Sequence, residues 1–114
     1  MKRLLLTIAL LASTPAIAQQ ADPWSANNMV QPCKRWANQE GGSNPYSGTC
    51  AGAARTLLTF APTLGACPPD NASIGQLTKI IVRYAEQRPE RLHEDYLQLA
   101  LEALRAAWPC KGGR

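Results

Sequence analysis

Four cysteines constrain this chain more than any other feature. Cys33, Cys50, Cys67 and Cys110 leave gaps of 16, 16 and 42 residues. In a small domain, which of them are joined largely decides which segments can be neighbours. Zinc sites usually bring their ligands in close pairs such as C-x-x-C, and none of these gaps is so short. Two disulfides fit the count better, provided the chain meets an oxidising compartment.

The N-terminus supplies that compartment. Lys2 and Arg3 precede an apolar run from Leu4 to Ala12, followed by Ser13, Thr14, Pro15 and the triplet Ala16-Ile17-Ala18. This is the layout of a secretory signal peptide, with small residues at the two positions a signal peptidase reads. Residues 1–18 are therefore expected to be a signal peptide, and residues 19–114 a single exported domain, placed in the periplasm of a Gram-negative bacterium. No later stretch reaches the ~20 apolar residues of a membrane helix. Without Lys2 and Arg3, ten basic and eight acidic side chains remain, a balance of +2. The bases are scattered singly apart from Lys34-Arg35, so no nucleic-acid footprint and no basic binding stripe are expected.

Punctuation at Gly41 to Pro45, at Pro62 to Asn71 and at Arg88-Pro89 cuts the exported part into four stretches. The first, Trp24 to Asn38, is helix-like, with a kink or short break expected at Pro32 because proline lacks a backbone donor. The second, Pro45 to Ala61, places Cys50, Ala53, Ala54, Leu57, Leu58 and Ala61 on one helical face. The third starts at Ser73, a good N-cap, with Gln76 at the capping-box spacing. Its buried stripe is expected to be Ile74, Leu77, Ile80, Ile81 and Tyr84.

The fourth, Pro89 to about Trp108, has a polar stripe of Arg91, Asp95, Gln98, Glu102 and Arg105 opposite Leu92, Tyr96, Leu99 and Ala103. Leu97, Leu101, Leu104 and Trp108 widen its apolar arc, so this helix is expected to sit centrally. No alternating strand pattern occurs. The fold class is all-α, a small four-helix domain stapled by two disulfides.

Short links favour antiparallel neighbours. The end of helix one and the start of helix two then share a pole, as do the ends of helices two and four. Of the three pairings four cysteines permit, this topology selects Cys33–Cys50 and Cys67–Cys110. On the chain-entropy argument these bridges contribute about 3 and about 4 kcal/mol.

His93, the only histidine, stands in "RPERLHEDY" among Glu90, Glu94 and Asp95. Carboxylates around an imidazole suggest acid–base chemistry, yet helix geometry argues for structure. Pro89 fits a first helical turn, and Glu90 complements the positive helix start. Asp95 is spaced to pair with Arg91. His93 aligns with Leu97, Ala100, Leu104 and Trp108, which predicts a partly buried imidazole fixing the helix entry. Bridged cysteines leave no thiol nucleophile, and Gly48-Thr49-Cys50-Ala51-Gly52 is no phosphate loop. Neither catalysis nor a cofactor is expected.

Taken together, "SANNMVQPCK", "SGTCAGAARTLL" and "CPPDNASIGQLTKIIVRYAEQRPERLHEDYLQLALEALRAAWPC" resemble the Tai/Rap immunity proteins of type VI secretion. The matching elements are Cys50 with Gly52, Cys67 with Pro69, Gly75-Gln76, Arg88-Pro89-Glu90 with His93, and Pro109-Cys110. Helix two departs, reading Cys-Ala-Gly-Ala-Ala where many members carry Gly-Tyr-x-x-Gly. The resemblance implies an exported helical protein that binds and inhibits a peptidoglycan amidase effector. It also implies a homodimer that pushes a loop into the amidase cleft.

Two segments are candidates for such a loop, Asn38 to Asn44 and Pro68 to Ala72. The second is favoured, with Pro68, Pro69, Asp70 and Asn71 as its contact residues, because Cys67 and two proline rings restrict it before binding. The competing function is a general periplasmic binding or chaperone-like helical domain with no amidase partner.

Overall fold

The computed structural model of the chain describes residues 22–39 and 45–111, so the expected signal peptide lies outside the described residues. Among those residues it shows four α-helices, α1 (Ala26–Ala37), α2 (Ser47–Phe60), α3 (Ile74–Glu86) and α4 (Tyr96–Ala107), with 3-10 turns at Ala61–Leu64 and Pro89–Arg91. No strand is present there; the extended pairings are single bridges, Ser25 with Asp95 and Ala66 with Pro109.

Both disulfides form as the topology requires. Cys33 and Cys50 join the last turns of α1 to the first turn of α2, with Cα atoms 5.4 Å apart. Cys67 and Cys110 join the segment after the first 3-10 turn to the chain just past α4, with Cα atoms 4.8 Å apart. The first bridge lies in the core, Cys33 and Cys50 being 0% and 2% exposed. The second lies at the surface, where Cys67 is exposed.

Helix α1 continues through Pro32, so the short break expected there is absent. Met29, Val30 and Cys33 are buried on both sides of the proline, and this packing carries the helix across one missing donor.

Helix α3, and not the last helix, is the central element: it packs against α1, α2 and α4. Its buried residues are Leu77, Thr78, Ile81, Val82 and Ala85, two adjacent columns along the helix. Of the expected stripe Leu77 and Ile81 are fully covered, while Ile74, Ile80 and Tyr84 pack only at the margin of the core. Thr78 tolerates burial because its hydroxyl donates to the Ile74 carbonyl at 2.8 Å. At its start the Ser73 hydroxyl accepts from the Gln76 amide at 3.0 Å, satisfying one of the orphan donors of a helix N-terminus.

The last helix begins seven residues later than its sequence suggests. Pro89 opens a 3-10 turn, and α4 starts at Tyr96 with Asp95 as its cap, whose carboxylate accepts from the Gln98 amide at 3.0 Å. The reason lies in α1. In a continuous helix the Leu92 carbonyl would accept the Tyr96 amide. Instead Tyr96 donates to the Trp24 carbonyl at 2.8 Å, and Leu92 accepts from Asn27 at 2.7 Å. The Glu94 carbonyl likewise accepts from Ala26 at 2.9 Å. Ser25 gives α1 no side-chain cap, so the 92–94 turn satisfies amides that would otherwise be orphaned.

Candidate partner-binding surface

The turn that receives α1 is held from below by one arginine. Arg91 donates Nε to Glu94 Oε2 at 2.7 Å and Nη2 to Glu94 Oε1 at 3.0 Å. It also reaches Glu102 on α4, Nη1 to Oε2 at 2.7 Å and Nη2 to Oε1 at 2.9 Å. Tyr84 of α3 adds its hydroxyl to Glu102 Oε2 at 3.0 Å, and Arg88 stacks over the Tyr84 ring at 3.6 Å. Bidentate guanidinium–carboxylate pairs are among the stronger charge-assisted hydrogen bonds. Hydrogen bonds from Arg91 and then from Tyr84 hold the Glu102 carboxyl down at about 2. The Arg91 hydrogen bonds also lower the Glu94 carboxyl.

This arrangement corrects two expectations. Arg91 pairs with Glu94 and Glu102, not with Asp95, whose carboxylate is spent on the α4 cap. His93 is exposed on a turn, because α4 starts beyond it and never carries its side chain onto the apolar face. The imidazole therefore does not fix the helix entry; backbone carbonyls and Arg91 do. Pro89 is also exposed, and Gln76 serves the α3 cap through its backbone amide with its side chain outside. Among the described residues no cluster of three or more histidine, cysteine or acidic side chains is placed to hold a metal ion.

The segment between the first 3-10 turn and α3 is built differently, as a fixed projection. Gly65 takes φ +90° and closes the 3-10 turn, after which Ala66 donates to the Ala61 carbonyl at 2.9 Å. Only glycine adopts that conformation without strain. A Cβ there would also approach Arg105 Nε to 3.4 Å, the same nitrogen that donates to the Leu64 carbonyl at 2.8 Å. Cys67 then donates its amide to the Trp108 carbonyl at 2.7 Å beside the Cys67–Cys110 bridge. Beyond these anchors Ala72 donates to the Pro69 carbonyl at 3.0 Å, closing a turn. Asp70 and Asn71 are the exposed tip of that turn, Pro69 is exposed at its base, and Pro68 is half-buried. Of the rival loop, residues 40–44 lie outside the described residues.

Shallow grooves also mark the surface of the described residues, and three bear on binding. One, of about 350 Å³, runs between α1 and α3 and is bordered by Lys34, Lys79, Arg83 and Glu86 over Val82 and Ala37. A second, of about 270 Å³, lies between α3 and α4 and shares Arg83 and Gln87 with the first. The third, of about 380 Å³, is apolar and lined by Trp24, Thr49, Gly52, Ala53, Thr56, Leu57 and Leu97. The sequence carries no sign of the first groove, since Lys34 and Lys79 stand far apart in the chain.

Fixed turns, spent carboxylates and open grooves on a disulfide-stapled helical frame define a small protein whose features suit binding other proteins. The chain belongs to the Rap1a immunity proteins: the family's sequence profile matches residues 25–110, from just before α1 to the last cysteine. Immunity proteins act against secreted effectors, so a protein effector is the partner that membership implies. No curated protein and no solved structure matches the chain.

Proposed function

We propose that this chain is exported through a signal peptide at residues 1–18 to the periplasm, where it binds and inhibits a peptidoglycan amidase delivered by a type VI secretion system. The observation that carries this reading is the family match, which spans all four helices and both bridges. Two disulfides in a domain this small also favour an oxidising compartment. The role is that of a non-catalytic inhibitor.

The contact segment we assign is Pro68, Pro69, Asp70 and Asn71. Its base is anchored by a disulfide and by the Cys67 and Ala66 hydrogen bonds, so little ordering entropy opposes docking into a cleft. A homodimer accompanies this reading. Trp24 and Phe60, 37% and 54% exposed, are the large apolar side chains left uncovered among the described residues, and Phe60 lies one turn beyond Thr56 of the apolar groove.

The experiment is titration of the mature protein into a candidate peptidoglycan amidase effector from the same genome, followed by a peptidoglycan hydrolysis assay. Stoichiometric inhibition is expected, with Asp70→Ala weakening binding by at least fivefold. If an insertion between Gly41 and Gly42 abolishes binding while Asp70→Ala changes affinity less than twofold, the contact lies on the other loop. Binding to many unfolded proteins with no effect on the amidase would favour the chaperone-like reading.

A further inference from the structure

The folded chain gathers on one face a charge that its sequence scatters. Lys79 and Arg83 stand one turn apart on the outer side of α3, both exposed. Lys34 enters the same groove from α1, but its charge is met by Glu86, Nζ to Oε2 at 3.0 Å. Arg83 and Gln87 form the ridge between this groove and the next, where Arg88 lies against the Tyr84 ring. Among the described residues Lys79, Arg83 and Arg88 have no carboxylate within ion-pair distance. Glu86, the acidic residue lining these grooves, is already paired. The floor between the cations is apolar, Val82 being 4% exposed with Ala37 beside it.

We infer that this face of α3 is a docking surface for an acidic segment of a protein partner. Charge complementarity selects the occupant: Lys79 and Arg83, two exposed cations with no ion-pair partner among the described residues, attract carboxylates, steer their approach and disfavour basic surfaces. The apolar floor selects a segment that also carries aliphatic side chains, which a bare polyanion lacks. The spacing of Lys79 and Arg83, one helical turn, matches paired carboxylates on an extended or helical segment. The surface is separate from the Pro68–Asn71 turn, and the inference does not depend on what effector that turn meets.

The test therefore uses a probe and not the effector. A 12-residue peptide of alternating glutamate pairs and leucines is titrated into isotopically labelled mature protein, with amide shifts followed by NMR. A control peptide carries glutamine at every glutamate position. Saturable shifts centred on Lys79, Val82, Arg83 and Gln87 are expected, weakening as salt is raised. The double variant Lys79→Gln/Arg83→Gln should bind at least tenfold more weakly with an unchanged melting temperature, because both side chains are exposed. The inference is overturned if the glutamine peptide binds equally well, or if shifts spread over Arg55, Arg105 and Lys111. It is equally overturned if no saturable shift occurs, or if a DNA oligomer of equal charge binds the same residues more tightly. Each of these outcomes leaves the amidase titration unaffected, so failure here and failure of the inhibitor reading are separately visible.

Discussion

Arg91 and Glu102 face each other with both ends engaged, Nη1 to Oε2 at 2.7 Å and Nη2 to Oε1 at 2.9 Å, across eleven residues of chain. This pair ties the turn that receives α1 to the body of α4. Because the same arginine also grips Glu94, a single side chain couples three elements of the fold.

Its pH signature follows from the depressed carboxyl. Glu102 is ionised in the folded protein down to about 2, below its ordinary value of 4.5. A group whose folded value is depressed contributes stability that is fully present above its unfolded value and is lost as pH falls through the folded one. The melting temperature should therefore stay level from pH 7 to about 5 and fall between there and about 2. Glu102→Gln should melt several degrees below the parent at pH 7, with the gap narrowing as pH drops toward 2. Calorimetry at five pH values checks this; a gap that widens on acidification contradicts it.

The two bridges should behave unequally. Cys33 and Cys50 are sealed in the core, whereas Cys67 is exposed, and thiol–disulfide exchange requires access to a sulfur. Limited treatment with a dithiol at neutral pH should open Cys67–Cys110 first, as peptide mapping of the alkylated protein would show. Replacing both Cys33 and Cys50 by alanine should cost about 3 kcal/mol in urea unfolding, from loop entropy alone. Opening of Cys33–Cys50 first would contradict the placement of the bridges.

His93 should be dispensable for folding. With its side chain exposed on a turn, His93→Ala is expected to shift unfolding free energy by no more than about 0.5 kcal/mol. A loss above 1 kcal/mol in chemical denaturation would restore a buried, hydrogen-bonded imidazole and contradict the late start of α4.

What was legible in the sequence, and what was not, follows the range of the interactions. Ser73 with Gln76 marks the start of α3 because cap and recipient are three residues apart, and the cap forms. The helical periodicity of the second stretch puts Cys50 at the start of α2, and short links then leave one economical pairing, which is observed. The "RPERLHEDY" stretch misleads because its local signals are genuine. Proline, then glutamate, before an apolar period suits a helix start. The deciding partners are the amides of Ala26 and Asn27, more than sixty residues away. Arg91 fails in the same manner, since a helical spacing suggests Asp95 while the structure supplies Glu94 and Glu102. The spacing of Lys79 and Arg83 on α3 is legible along the chain, but the groove beside them is not, because packing alone brings Lys34 and Ala37 of α1 against it. The Pro68–Asn71 turn was identifiable as restrained, though its anchor on the Trp108 carbonyl was not.

Membership of the Rap1a immunity proteins makes protection of a cell the most direct test of the account. A susceptible strain carries a gene for a type VI secretion peptidoglycan amidase behind an inducible promoter with a periplasmic export signal. It is then supplied with the full chain, with a form lacking residues 1–18, or with an empty vector. If the chain inhibits the amidase in the periplasm as proposed, only the full chain should restore growth and intact cell walls. Lysis in the presence of the full chain, with the protein folded and exported, would contradict the account.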